Sequence, residues 1–419
     1  MIAAASCGVG GRTGASDTAP VVSRGSGAVN GEDGGYNGQM RGLMLLVAAI
    51  VLVDTVFFAV LSPLLPSYAA SLGLSKTAVG ILAGAFATGV LVAALPSGLL
   101  ASRFGLRPTL LLGLGLTGIT CVIFGLSATW SLLVLTRFAA GLGSACSWTA
   151  AVGWLARTAP PERRGELIGF AISAAVAGAF LGPALGAVAA WIGTGPAFGL
   201  IAVACTVLAL RVMTLPEPDA EPRSVTMVTA LGMPSLWAPL GLIWLAPLLF
   251  AVLGVLVPLT LAAQGWTAGQ LGALYAGSAA LEALVHPVLG RWADRQGALA
   301  PISTGLVAAT AVLVGLAAAG SAWPVAGLVV AAAITFGATL VPGMALLTRT
   351  AEAAGLDAVL AMALANLAWA LGHAVGSPVC GWLADRVGDT LTYMMFAGLC
   401  LAVLVVLRRR RGILIPSSP

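Results

Sequence analysis

The chain has 419 residues, of which 59% are hydrophobic and only 8% charged, with a net charge of +5. So few polar side chains cannot cover a soluble globule of this size, which makes an integral membrane protein the expected class. The positive balance does not point to nucleic acid, because the arginines stand at the ends of apolar runs rather than on a continuous basic face. The apolar runs are about 20 residues long and lack the period-2 alternation of barrel strands, so helices must carry the backbone.

Residues 1–41 come first; they are rich in Gly, Ser, Ala and Thr without an apolar core. A disordered tail is expected there, neither signal peptide nor stable helix, with Met40 as an alternative start. Twelve apolar spans follow, at 42–64, 77–101, 106–126, 130–155, 165–191, 195–214, 236–262, 267–291, 299–319, 323–347, 357–384 and 390–407. The expected fold is therefore all-α, with twelve transmembrane helices. A polar linker at 215–235 with Pro216, Glu217, Pro218, Asp219, Glu221, Pro222 and Arg223 separates spans six and seven, and a basic tail occupies 408–419. The cysteines are Cys7, Cys121, Cys146, Cys205, Cys380 and Cys400, scattered without metal-ligand spacing, so they read as small packing residues with neither disulfide nor metal.

An even number of spans places both termini on one side. With the amino terminus inside, the inner segments collect Arg41, Arg103, Arg107, Arg157, Arg163, Arg164, Arg211, Arg223, Arg291, Arg295, Arg349 and the run from Arg408 to Arg411, leaving Lys76 and Arg386 outside. That bias predicts cytoplasmic termini in the inner or plasma membrane. The halves 42–214 and 236–407 also repeat at an offset of about 193 residues. Gly98-Leu-Leu-Ala-Ser-Arg-Phe-Gly105 recurs as Gly290-Arg-Trp-Ala-Asp-Arg-Gln-Gly297, Trp130 as Trp323, Arg157-Thr-Ala as Arg349-Thr-Ala, and Gly182-Pro-Ala-Leu-Gly186 as Gly376-Ser-Pro-Val-Cys-Gly381. Two six-helix halves are the parallel-repeat plan of secondary transporters, with substrate bound near the midplane.

These landmarks resemble the major facilitator superfamily over about 42–407. Gly290, Asp294, Arg295 and Gly297 look like its signature loop, and Gly98, Ser102, Arg103, Gly105 and Arg107 like the amino-half copy. The resemblance implies cytoplasmic gates at these loops, in which an acid meets a helix amino terminus across the interface between halves. Ser102 departs from the usual acid; it can hydrogen-bond such a terminus but brings no charge to the dipole, whereas Asp294 can serve in the other half. Arg137, in Leu135-Thr-Arg-Phe-Ala-Ala-Gly-Leu-Gly143, resembles a fourth-helix motif whose buried arginine sits near a proton site. Gly178, Gly182, Pro183 and Gly186 resemble the fifth-helix motif of exporters; glycines at four-residue spacing let helices approach closely, and mere packing is the plainer reading of any lone Gly-x-x-x-Gly. Asp54 followed by Leu61-Ser-Pro63-Leu-Leu-Pro66-Ser-Tyr68 is similar to the drug:proton antiporter branch that includes vesicular amine transporters. There a first-helix acid is tied to protons or cationic substrate.

Asp54 is the costliest residue, a carboxyl halfway along the apolar run from Leu43 to Leu61. It stands about 16 Å from the inner end of its span and Arg137 about 10 Å below the outer end of span four, levels less than one turn apart in a core of about 30 Å. An Asp54–Arg137 interaction is therefore available, either as a coupling switch shared by proton and cationic substrate or as a static buried pair that fixes packing. Glu282 and His286, four apart in span eight, offer a proton relay; the bland alternative is a snorkelling histidine and a glutamate held by a helix-end donor. Asn366 and His373, with Trp369 between them, form a polar and aromatic stripe on span eleven that suits either a cavity wall or an interhelical contact. Trp148, Trp154 and Trp244 read as core or interface-belt residues.

Neither a phosphate-binding glycine loop nor a nucleophile motif is visible, so energy must come from a gradient and the chain is not an enzyme. The expected activity is proton-coupled export of a small, largely apolar or cationic molecule by a monomer in contact with lipid, without cofactor or nucleic acid. The alternatives are export of a neutral sugar or biosynthetic metabolite, and a non-transporting membrane sensor on the same fold.

Overall fold

The computed structural model describes residues 29–160, 164–216, 227–356 and 358–409. All regular elements among these residues are helical: α1 (Val29–Ala59), α2 (Leu65–Leu72), α3 (Lys76–Phe104), α4 (Leu106–Leu126), α5 (Trp130–Thr158), α6 (Arg164–Ile192), α7 (Thr194–Met213), α8 (Met227–Leu231), α9 (Trp237–Ala263), α10 (Ala268–Gln296), α11 (Leu299–Ala318), α12 (Ala322–Ala353) and α13 (Ala358–Arg409), with short 3-10 turns at Ser62–Leu64 and Pro234–Leu236. Helix α1 begins at Val29, inside the stretch expected to be a disordered tail. Once a helix is nucleated, adding residues is cheap, so an apolar span extends into weak sequence at its end. The rest of that tail, most of the linker (217–226) and the tail from 410 lie outside the described residues.

Nine helices among the described residues are long and apolar enough to cross a membrane. Seven lie close to the expected runs; the first joins α1, the 3-10 turn and α2 as Met40–Leu72, and the last, Leu360–Arg409, merges the two final runs. That merged helix is broken at Gly388, where φ is +83° and ψ 166°. The first helix is also interrupted. Helix α1 stops at Ala59 and the chain resumes through Pro63 and Pro66, which lack the N–H that would continue the hydrogen-bond ladder.

Packing runs through small residues, because in lipid the drive for helix association is close contact rather than water exclusion. Helix α3 packs on α5 and α13, α4 on α5 and α7, α6 on α10, α9 on α12 and α13, and α11 on α12 and α13. The largest buried cluster passes through Phe57, Phe86, Phe124 and Phe198 to Leu249, Leu306 and Phe336. Cys121, Cys146, Cys205, Cys380 and Cys400 are free and buried within this packing.

Candidate functional site

The end of α1 sets the site. The last four carbonyls of any helix lack a donor from within it, and here the proline-rich break removes what the next turn would have supplied. Arg137 of α5 takes that role, its guanidinium donating to the carbonyls of Phe57 at 2.7 Å and Phe58 at 3.1 Å. The group is only 1% exposed and lies against the rings of Phe57 and Phe86, at 4.9 and 5.1 Å from their centroids. A cation at a helix carboxyl end also meets the negative pole of its dipole. Arg137 is thus the cap of a broken helix.

Asp54, one turn earlier on α1, is also buried, at 7% exposure. Its Oδ2 accepts hydrogen bonds from Ser144 Oγ and Trp148 Nε1, both at 2.8 Å, while Oδ1 is buried without a partner. Asp54 and Arg137 attract each other through space but share no hydrogen bond or ion-pair contact, each being held by other partners. Depth along a span gives the level of a side chain but not its direction, and it ignores the break of α1 at which Arg137 finds free carbonyls. Ser144 and Trp148 lie seven and eleven residues after Arg137, one face of α5. Trp148 is therefore a ligand of Asp54 and not a belt residue, whereas Trp154 is core, 2% exposed, and Trp244 packs against the core.

Beside this pair of buried charges lies a cavity of about 290 Å³. Phe58, Arg137, Pro183, Phe250, Tyr275, Glu282, Trp369 and His373 are in its wall. Trp369 and His373 stack on each other at 4.8 Å, and the ring of Phe58 meets them at 5.0 and 5.3 Å. Asn366, a turn nearer the start of α13, is half-buried and is not part of the lining, although it shares the helix face of Trp369 and His373. Glu282 Oε1 is 3.2 Å from His286 Nε2. Gly337 of α12 leaves room for that pair, since a Cβ there would stand 3.0 Å from the imidazole nitrogen.

The glycines of α6 press on α1 directly behind Asp54. A Cβ on Gly178 would stand 2.7 Å from Thr55 Cβ and 2.8 Å from the Leu52 carbonyl oxygen, one on Gly182 2.6 Å from Ala59 Cβ, and one on Gly186 would strike the Val60 carbonyl. Pro183, on the cavity wall, has no N–H to offer the carbonyl of Ala179, which also lines the cavity. On α13, Gly372 and Gly376 repeat this arrangement against Trp244, Leu248 and Ala251 of α9.

The two expected gate loops lie apart from the cavity. Ser102 Oγ donates to the Leu99 carbonyl of its own helix at 2.9 Å, Arg103 lies by the Phe104 ring, and Arg107 donates to the carbonyl of Leu215 beyond α7. Gly98 is unconstrained, Gly105 and Gly297 turn the chain at φ +97° and +80°, and Arg295 is exposed in the last turn of α10 near Gly290. Asp294 pairs with Arg349 of α12 at 3.1 Å, both exposed, and not with a helix terminus as expected.

The family model of the Major Facilitator Superfamily matches residues 47–255 and again 240–416. The chain belongs to this superfamily. Two successive matches within it agree with the repeated glycine packing of α6 on α1 and α13 on α9. Among curated relatives, Multidrug resistance protein 1 of Bacillus subtilis is 25% identical over 257 residues, 58% of this chain and 66% of its own length. Multidrug resistance protein 2 of the same organism is 28% identical over 137 residues, 32% of this chain and 34% of its own length, so the match leaves much of both relatives uncovered. The uncharacterized MFS-type transporter YcaD of Escherichia coli is 26% identical over 377 residues, 89% of this chain and 96% of its own. The fold is shared with a solved bacterial homolog of the human lysosomal transporter Spinster, in an inward-facing and unoccupied conformation: TM-score 0.65, 17% identity, 90% of this chain and 96% of that one.

Proposed function

We propose that this superfamily member is a proton-coupled secondary transporter that exports a small, largely apolar or cationic molecule by alternating access. The observation that carries it is Asp54: a buried carboxyl one turn before Phe58, which lines an aromatic cavity, with one oxygen held by two donors and the other without a partner. The indole N–H of Trp148 can only donate, so Oδ2 stays an acceptor and a proton has Oδ1 to itself. Protonation changes the charge at the hinge-like end of α1 without dismantling its contacts. A cation in the cavity and a proton on Asp54 then favour different conformations, which is the coupling antiport requires.

On this reading the spans number twelve. The nine apolar helices are joined by α5 and α10, whose polar faces bear Arg137 and Ser144, and Glu282 and His286; the break at Gly388 divides α13 into two. Two halves, 42–214 and 236–407, flank the linker at 215–235, and the arginine bias sets the Arg103 end and both termini in the cytoplasm of the inner membrane. Named multidrug relatives support a substrate of this class. A monomer suffices, because the cavity is built within one chain.

The decisive experiment is flux in reconstituted vesicles. Asp54→Asn keeps a group able to accept from Ser144 and Trp148 but cannot carry a proton on the vacant side. Flux driven by a pH gradient is expected to vanish while downhill exchange of substrate persists; unchanged gradient-driven flux overturns the proposal. Glu282 supplies the carboxylate of the cavity wall, with His286 as its exchangeable partner. Glu282→Gln is expected to raise the KM for a cationic dye by about tenfold and leave a neutral substrate unaffected, as loss of one charge contact should.

A further inference from the structure

The gate pattern occurs at a place where the fold uses it differently. Gly381-Trp-Leu-Ala-Asp-Arg-Val-Gly388 has the same Gly-x-x-x-Asp-Arg-x-Gly form as 290–297, but it lies at the opposite end of the bundle, where α3 begins. Four such eight-residue segments exist, 98–105, 186–193, 290–297 and 381–388, and each closes on a glycine with φ between +80° and +97°, a conformation that glycine alone adopts freely. They are one helix-to-helix junction in four copies. Only those at 290 and 381 carry the Asp-Arg pair.

The two acids do different things. Asp294 is exposed and tied to Arg349. Asp385 reaches across to the first turn of α3 and accepts from Lys76 N at 3.1 Å, Thr77 N at 2.8 Å and Thr77 Oγ1 at 2.5 Å. Ser75 Oγ takes the next amide, Ala78 N, at 3.2 Å, so the free N–H groups of this helix start are filled in sequence by Asp385 and Ser75. Lys76 Nζ adds an ion pair to Asp389 at 2.6 Å.

Such a cap forms only with the two helices docked, and their backbones touch here. A Cβ on Gly381 would strike the Lys76 carbonyl, one on Gly80 the Ser377 carbonyl, and one on Gly84 would stand 3.0 Å from Pro378. At the Arg103 end, by contrast, Ser102 and Asp294 bond on their own sides.

We propose that Asp385 is an outer latch: by capping the amino terminus of α3 with a full charge it holds the Lys76 end of the cavity shut, and it must release before the protein opens to that side. This rests on the alternating-access reading above but needs neither its proton coupling nor its substrate. The ion pair of Lys76 with Asp389, a third exposed at each partner, is secondary, because exposed pairs contribute little.

The test is labelling of Ser62→Cys, on the cavity wall, by a membrane-impermeant maleimide in sealed vesicles of each orientation, with the parent protein as blank. Asp385→Asn keeps the shape of the cap and removes its charge. It is expected to speed labelling from the Lys76 side roughly tenfold, as loss of a charged hydrogen bond should, and to slow labelling from the Arg103 side. Lys76→Ala, which keeps the backbone cap, is expected to change the rate less than about twofold. A monodisperse Asp385→Asn protein that labels at the parent rate from both sides overturns the latch, as does an effect of Lys76→Ala equal to that of Asp385→Asn. Because the readout is accessibility, it can succeed where the flux experiment on Asp54 fails, and the reverse.

Discussion

Replacing Arg137 with alanine is expected to destabilise the fold severely, with a loss on the order of 3–5 kcal/mol. The guanidinium caps the Phe57 and Phe58 carbonyls and fills the space between the Phe57 and Phe86 rings, so its removal strands two acceptors and opens a void at once. Arg137→Lys keeps the charge but not the fork that reaches two carbonyls, and is expected to recover about half of the loss. Thermal unfolding in detergent, followed by a thiol dye on the buried cysteines, measures both. The same series separates the observed arrangement from a direct Asp54–Arg137 pair. In a double-mutant cycle on unfolding, Asp54→Ala with Trp148→Phe should show a coupling of about 1 kcal/mol or more, and Asp54→Ala with Arg137→Lys a smaller one. The opposite ranking would restore the direct pair and remove Arg137 from its role as a helix cap.

That contrast also shows what the amino-acid order reveals and what it conceals. Apolar runs are legible because the bilayer thickness dictates their length, and most observed helices begin and end near them. Asp54, Arg137, Glu282 and His373 stand out for the cost of burying them, and the last three line the cavity. Their pairing is not legible from depth alone, since a level along a helix says nothing about which way a side chain turns or where a neighbouring helix breaks. Two signals were within reach. Arg137, Ser144 and Trp148 share one face of α5, and residues 381–388 repeat the gate pattern letter for letter at its key positions. Matching the halves at an offset of about 193 sets Gly381 opposite Gly186, whose segment carries no charge, and so hides the likeness to 290–297. Asn366 shares the helix face of Trp369 and His373 but is not in the lining, because the extent of a cavity is a property of the helices around it.

Gly178→Leu is expected to eliminate transport, and Gly178→Ala to reduce it by at least about tenfold, because the fifth-helix glycines are the surface on which α1 rests. A Cβ at Gly178 would meet the Leu52 carbonyl and Thr55 Cβ at 2.8 and 2.7 Å, and neither is the yielding tip of a flexible side chain. Relief therefore requires the helices to separate. Asp54 lies on the same two turns of α1, so a shift there moves its carboxyl relative to Ser144 and Trp148, whose contacts at 2.8 Å tolerate little displacement. The other side of α6 meets α10, where a Cβ on Gly272 would stand 2.7 Å from the Pro183 carbonyl oxygen, so a displaced α6 also disturbs the helix that bears Glu282. Gly199→Ala on α7 supplies the control: nothing lies within 4 Å of its Cβ position, and alanine in a helix is favoured over glycine by up to about 1 kcal/mol. Flux per folded molecule, with the pH profile of each variant, is the measurement. If α6 only fills space, Gly178→Ala lowers the amount of folded protein and leaves both the specific rate and the pH profile intact. If it sets the position of α1, the protein that does fold transports slowly and with a displaced pH profile, because the carboxyl proposed to take the proton no longer has its two donors in place.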